Sequence, residues 1–254
     1  MVELHGHLAE RGIEILVVTD PAKGRIYPEK VDSSFAVGDP DALSDFVNRL
    51  RERGLRVIDL ESHFLEIRRK NAEAKLYCAQ DAHYAPAAIE EIARILHKEI
   101  GIETGQSAFS LSKESELTIM GDQVSGSEWE GSLPRETLTV RYVMENGEKG
   151  VSPNPASPVL LLGDSHTLVF HAGEENGMHS RGAGLLDHLS YELRMPLDLV
   201  GVRGSGLVQA RKQLYFRATS EPGFWDQKRC VVWVFSEREW TQSTDRLMSI
   251  PLDR

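Results

Sequence analysis

The sequence predicts an α/β fold, three layers deep, with helices on both faces of a mostly parallel central sheet. Three observations predict it. Short β-like apolar runs alternate with amphipathic helical patterns along most of the chain. The tracts Pro158 to Leu162 and Cys230 to Phe235 carry no charge, as strands buried on both faces of a parallel sheet require. At 254 residues the chain can bury one substantial core, and with no internal repeat a single domain spanning residues 1–254 is expected.

Ile13 to Thr19 reads as the first buried strand, ended by the turn-like Asp20-Pro21-Ala22-Lys23-Gly24. From Asp41 to Arg53, Leu43, Phe46, Val47 and Leu50 recur at helical spacing, and Gly54 supplies the stop. Leu55 to Ile58 is the second strand, and Leu76 to Gln80 is a short extended segment. Pro86 stands near the start of the next helix, where its missing N–H is harmless. Ile89, Ile92, Leu96 and Ile100 share the apolar side of that helix, while Glu90, Glu91 and Lys98 stay wet. Residues 101–157 break the rhythm. Rich in Ser, Gly and Glu, they read as an irregular, lid-like insertion in which Leu138 to Val143 pairs with a neighbouring strand around Asn146-Gly147. Beyond it come the strand at 158–162, a helix around 181–193, the strand Asp198 to Val202, a helix from Leu207 to Arg217 and the strand Cys230 to Phe235.

Composition removes several function classes. With 39 acidic and 29 basic side chains the formal net charge is −10, which leaves no chain-wide electrostatic footprint for nucleic acid. No apolar stretch approaches the roughly 20 residues that span a bilayer, so no membrane segment is expected. The start, Met1 to His5, lacks the basic and apolar regions of a signal peptide. The 2 cysteines, Cys78 and Cys230, are too few for a disulfide framework; both suit small buried hydrophobes, and a bridge between them stays open. His63, His171 and His179 have no acidic or cysteine partners at metal-ligand spacing, so neither a metal nor a cofactor is expected.

Two motifs carry chemistry. Gly163-Asp164-Ser165-His166-Thr167 follows the uncharged strand and leads toward a helix, which holds the Ser165 hydroxyl at the carboxyl end of a sheet, where a nucleophile is useful. Asp81-Ala82-His83-Tyr84 supplies an acid and a histidine two residues apart. The roles that follow are Ser165 as nucleophile, His83 as general base and later acid, and Asp81 as the group that orients the imidazole. Each motif also has a reading without chemistry, as a plain turn or a hydrogen-bonded structural histidine. His166 is the weaker base, because adjacent side chains at a strand-to-helix turn diverge, and Asp164 is expected to bond the turn or cap the helix. Tyr27, Trp129, Tyr142, Trp225 and Trp240 are available to stack on sugar rings, against the commoner role of isolated aromatics in a core or at its boundary.

Together, in this order, the two motifs resemble the SGNH-hydrolase-like AlgJ/AlgX family, which includes bacterial polysaccharide O-acetyltransferases. The agreement extends to Arg11-Gly12-Ile13, Lys23, Tyr27-Pro28, the tract from Arg53-Gly54-Leu55 to Asp59-Leu60, and Val232 to Arg238. It covers the chain from about residue 8 to residue 240. Ordinary SGNH esterases place the serine first and the histidine motif late; this family has Asp-x-His upstream of its serine, as here. The resemblance implies an SGNH-like fold and an acyl-serine mechanism, in which Ser165 accepts an acetyl group and a sugar hydroxyl removes it. It implies an oxyanion site at the Ser165 amide with donors from Gly204-Ser205-Gly206, although Gly204 and Gly206 also suit a tight turn before a helix. Arg238 matches an arginine that follows the family's final strand, either as a binding residue or as a surface charge. Tyr84 stands where tryptophan is frequent, a change that bears on acceptor selection.

The partners implied are an acetyl donor, small or carried by a protein, and a polysaccharide acceptor; the location implied is the periplasm or cell envelope, the sequence given being compatible with a piece of an exported protein. Two other functions stay open. A carbohydrate esterase or deacetylase differs only in whether water or sugar reaches the acyl-enzyme, and a non-catalytic polysaccharide-assembly or binding protein would retain the fold alone.

Overall fold

The computed structural model describes residues 1–34, 42–204, 206–239 and 250. Asp41, Ser205 and Trp240 therefore lie outside the described residues. In chain order the elements begin with α1 (Val2–Glu10), β1 (Glu14–Asp20), α2 (Lys23–Ile26), α3 (Pro28–Val31), α4 (Ala42–Glu52), β2 (Arg56–Asp59), α5 (Leu60–Lys70) and α6 (Pro86–Glu99). Five short strands follow: β3 (Ser110–Leu111), β4 (Ser115–Ile119), β5 (Glu136–Val140), β6 (Val143–Glu145) and β7 (Glu148–Lys149). The chain continues through β8 (Val159–Gly163), α7 (Leu185–Leu193), β9 (Asp198–Gly201), α8 (Gly206–Ser220) and β10 (Cys230–Ser236). These elements fall into two compact units. Residues 1–72, 155–165 and 198–254 make the first, and residues 73–154 and 166–197 the second.

The first unit holds the central sheet, five strands in the order β2-β1-β10-β8-β9, every pair parallel. Its two uncharged strands are the ones the pattern singled out: all positions of β8 and β10 are buried. Alternation sends Ile15, Val17, Leu160, Leu162, Val231, Trp233 and Phe235 into one core, closed by Leu4 and Leu8 of α1, Val47 and Leu50 of α4, and Ala210 and Leu214 of α8. Each such aliphatic side chain, moved from water to this interior, stabilises the fold by roughly 1.5–3 kcal/mol. Leu16, Val18, Leu161, Val232 and Val234 alternate to the opposite face and are also buried. Beneath the sheet's other end, Lys228 is wholly buried, yet its ammonium is satisfied by the Pro155 carbonyl at 2.5 Å, the Ser157 carbonyl at 3.1 Å and Asp198 at 2.9 Å. Asp198 also accepts from Arg217 at 2.8 Å. The carboxylate so held between two cations ties α8 to the start of β9.

Helix α5 escapes the apolar pattern because only Leu60 and Phe64 of its 11 residues are buried; Asp59 starts it by accepting from the Glu61 and Ser62 amides.

In the second unit Pro86 opens α6 as expected, and Ile89, Ile92 and Leu96 are buried along its face. The tract 101–157 differs from expectation in its pairing. Glu136–Val140 pairs antiparallel with Ser115–Ile119, Leu138 opposite Leu117, while the turn at Asn146-Gly147 belongs to a separate hairpin of Val143–Glu145 with Glu148–Lys149. Asn146 and Gly147 both take positive φ, +53° and +87°, which is why that hairpin sits where it does. Leu76 to Gln80 is extended only at Tyr77, which bridges Tyr84; the chain then bends back on itself. Cys78 and Cys230 are both buried and both reduced, so the bridge left open by the sequence is not formed. No helix among the described residues is long and apolar enough to cross a membrane.

Candidate active site

The second unit builds the Asp81-Ala82-His83 turn, and it is a bend rather than a strand. Bonds from the Cys78 amide to the His83 carbonyl (3.1 Å) and from the Ala85 amide to the Leu76 carbonyl (3.0 Å) close it. Because the chain folds over, Asp81 Oδ1 accepts from the His83 backbone amide at 2.9 Å and from the His83 ring Nδ1 at 2.5 Å. One oxygen thus fixes both the position and the tautomer of His83, since an ionised carboxylate only accepts and the ring nitrogen facing it must carry the proton.

Oδ2 of the same carboxylate is also taken twice, by the Asp122 amide at 2.9 Å and by His179 Nε2 at 2.8 Å. Four N–H donors occupy the roughly four lone-pair directions that a carboxylate offers. Burial alone would raise the pKa of Asp81, but the bonds from His179 and His83 outweigh it and hold the carboxyl far below the usual carboxylate range.

The tract read as an insertion clamps this turn. Asp122, three residues past β4, accepts from the Ala82 amide at its Oδ1 (2.9 Å), and Glu136 at the start of β5 receives the Ala79 and Gln80 amides at 2.7 and 2.9 Å. Gly121 makes the approach possible. A β-carbon there would lie 1.9 Å from the Gln80 carbonyl oxygen, so any side chain would push Asp122 away from Asp81.

The ring of His166 lies 4.9 Å from that of His83, and Tyr84 packs edge-on against it at 4.8 Å. Tyr84 is wholly buried. Its ring packs against His166 and Tyr77 instead of lying open to solvent.

The first unit carries Ser165. Strand β8 ends at Gly163, in register with Val234 of β10 and Gly201 of β9, so the turns after these three strands leave the same carboxyl edge of the sheet. That edge is where parallel α/β sheets bind ligands. Ser165 opens a single 3-10 turn, and the buried Asp164 before it accepts from the Ser236 amide at 3.2 Å, which makes Asp164 a tie between two strand ends. Gly204 has φ +94° in the turn after β9, a conformation that glycine adopts without strain, and Gly206 begins α8. Arg238, two residues after β10, is exposed, with Nε 3.8 Å from Glu239.

Of the aromatic candidates, Tyr142 and Trp225 are buried, Tyr27 is covered by the Arg68 guanidinium at 4.3 Å, and Trp129 is 56% exposed. Asp122, Glu136, His166 and His179 were not read as site residues. Atoms of Asp81, His83 and Asp122 converge to within 4.8 Å, but Asp81 could ligate a cation only by losing donors it now holds. As built, the group is a hydrogen-bond network.

A parallel sheet with one buried strand ending in Gly-Asp-Ser, in a chain that carries a carboxylate–histidine pair upstream, defines an SGNH-hydrolase-like α/β protein. The family model described as SGNH hydrolase-like domain, acetyltransferase AlgX, matches residues 1–237, and the chain belongs to that family. Over 94 residues it is 30% identical to the "Probable alginate O-acetylase AlgJ" of Pseudomonas aeruginosa, a match that takes in 37% of this chain and 23% of that protein. Among solved structures, the O-acetyltransferase domain of Pseudomonas putida AlgJ superposes with a TM-score of 0.68 at 19% identity, covering 96% of this chain and 82% of that one. Pseudomonas aeruginosa AlgX gives 0.64 at 17% identity, covering 92% and 54%. At these identities the structural likenesses show the fold.

Proposed function

We propose that this protein is a serine-dependent O-acetyltransferase that acetylates a polysaccharide hydroxyl in the cell envelope. The observation that carries the reading is the saturated Asp81 carboxylate holding His83 by Nδ1, in a chain of an acetyltransferase family. Nδ1 faces Asp81, and the role of base is assigned to Nε2, the other ring nitrogen. His83 takes the proton of Ser165 Oγ as that oxygen attacks the acetyl carbonyl, and returns it to the leaving oxygen of the donor. A sugar hydroxyl then attacks the acyl-serine, its proton passing to His83 and onward to Ser165 Oγ. Proton transfer of this kind contributes about 10²–10⁴ in rate.

In the same proposal the Ser165 amide and the Gly204 to Gly206 turn receive the oxyanion, and Arg238 meets the donor or acceptor. Residues 1–254 act as one domain, with the 101–157 tract as the clamp on Asp81. The name of the Pseudomonas aeruginosa relative points to an alginate-like acceptor, and the proposed place of the reaction is the periplasm or cell envelope. The acetyl donor is supplied by a partner, small molecule or protein.

Incubation with an aryl acetate, with and without oligosaccharide, tests this. Ser165→Ala is expected to abolish the acyl-enzyme seen by mass spectrometry while leaving the circular dichroism spectrum unchanged. Acetylated sugar formed only when acceptor is present establishes transfer. Acetate release that acceptor does not alter makes the protein an esterase, and labelling that survives Ser165→Ala removes Ser165 from the chemistry.

A further inference from the structure

A second histidine on the carboxylate is an unexpected expense for the fold. His179 has φ +65° and Phe170 φ +57°, both left-handed and neither glycine, and their rings stack with centroids 5.3 Å apart. Such a residue is strained and persists only where its surroundings dictate it. Here the surroundings are a tight loop: the Phe170 amide bonds to the Met178 carbonyl at 2.8 Å, the Ala183 amide to the Phe170 carbonyl at 2.9 Å, and the Gly173 amide to the Ser180 carbonyl at 3.1 Å. The outcome of the strained geometry is that Nε2 of His179, a largely buried ring, reaches Asp81 Oδ2 at 2.8 Å.

From this arrangement, and resting on the acyl-transfer reading above, we propose that His179 is a positioning residue for the reaction: it donates its Nε2 proton to Asp81, fixes the plane of that carboxylate, and withdraws part of its charge from His83. The order of bonding is His179 to Asp81 to His83, with the Asp122 amide as the fourth donor. The carboxylate receives bonds from His83, His179 and the Asp122 amide; the Asp122 side chain stands 3.8 Å from His83 Nδ1, and the His166 ring lies 4.9 Å from that of His83. A donor that shares the carboxylate holds its orientation and takes up part of its negative charge, so that removing the donor leaves more of that charge facing the imidazole.

The test separates donation from packing. His179→Phe retains a ring against Phe170 but has no donor, whereas His179→Gln places an amide N–H near the position of Nε2. His179→Phe is expected to lower kcat/KM by roughly 10- to 100-fold and to move the acid limb of the pH–rate profile to higher pH. His179→Gln is expected to restore activity to within about three-fold of the parent and to return the limb. A His179→Phe variant with unchanged kcat/KM and an unchanged acid limb overturns the proposal, as does a His179→Gln variant that is no better than His179→Phe.

A measurement on the unaltered protein keeps the matter decidable if the variants do not fold. Imidazole ¹⁵N spectra are expected to show His179 protonated at Nε2 and coupled to the His83 network; an Nε2 without a proton refutes the assignment. Ser165→Ala measured alongside distinguishes the two readings. If it retains turnover, the acyl-serine mechanism fails, while the ¹⁵N spectrum still decides where the His179 proton lies.

Discussion

A buried carboxylate with four N–H donors resists protonation, because a proton on either oxygen would set a donor against a donor. Asp81 therefore links stability to pH with a definite sign. Its native pKa lies below the unfolded value of about 3.9, so between the two the unfolded chain binds more protons and stability falls as the pH is lowered. Its contribution is complete above about pH 5 and is lost progressively as pH drops through that window. Asp81→Asn, which puts an amide NH₂ among donors, is expected to lower stability at pH 7 by about 1.5–3 kcal/mol, the range for bonds to a charged group. Urea midpoints at pH 7 and pH 3 check this: the gap between parent and variant narrows at pH 3, and an equal gap at both values would mean that the donors do not hold the carboxylate ionised. Ser165, Asp81 and His83 could be read because each belongs to a linear motif. The residues that complete the carboxylate could not, since Asp122 and His179 arrive from 41 and 98 positions away.

Elements place those distant residues, and the β4–β5 hairpin is the one whose role was least visible. Its two strands are only five residues each, so the alternation of Leu117 and Ile119, and of Leu138 and Val140, with exposed polar neighbours is too brief to stand out in a Ser-, Gly- and Glu-rich tract that reads as irregular. The parallel strands were legible for the opposite reason: burial on both faces removes charge from whole runs, as in β8 and β10. The hairpin nonetheless brings Gly121, Asp122 and Glu136 to the backbone of Ala79 to Ala82. Gly121→Ala isolates this function of the element. With backbone in the way at 1.9 Å, the loop must move, at a cost of about 1–3 kcal/mol typical of overpacking. Activity is expected to fall with the departure of the Asp122 amide from Asp81, while the sheet of the first unit is untouched. Acyl-enzyme formation and thermal unfolding measured together check it; a variant of parental activity would show that the clamp is dispensable.

At the scale of the molecule, each compact unit carries one thiol, Cys78 in the second and Cys230 in the first, both buried. Burial pushes the Cys230 thiol up to about 12, so the reactive thiolate is scarce as well as inaccessible. The Cys78 sulfur lies 3.4 Å from the Tyr84 carbonyl, inside the bend that carries Asp81 and His83. The two cysteines therefore act as internal reporters of local opening, one for the sheet and one for the histidine turn. Native protein is expected to resist alkylation by iodoacetamide at both positions, with peptide mapping across a urea series showing each thiol labelled only as its own unit opens. A Cys78 that reacts in native buffer while Cys230 stays silent would mean that the Asp81–His83 bend opens without the sheet, and the fixed hydrogen-bond geometry argued for that carboxylate would have to be replaced by one assembled when substrate binds. Resistance at both sites locates the rigidity of the Asp81–His83 pair in the ground state, where the proposed orienting carboxylate has to have it.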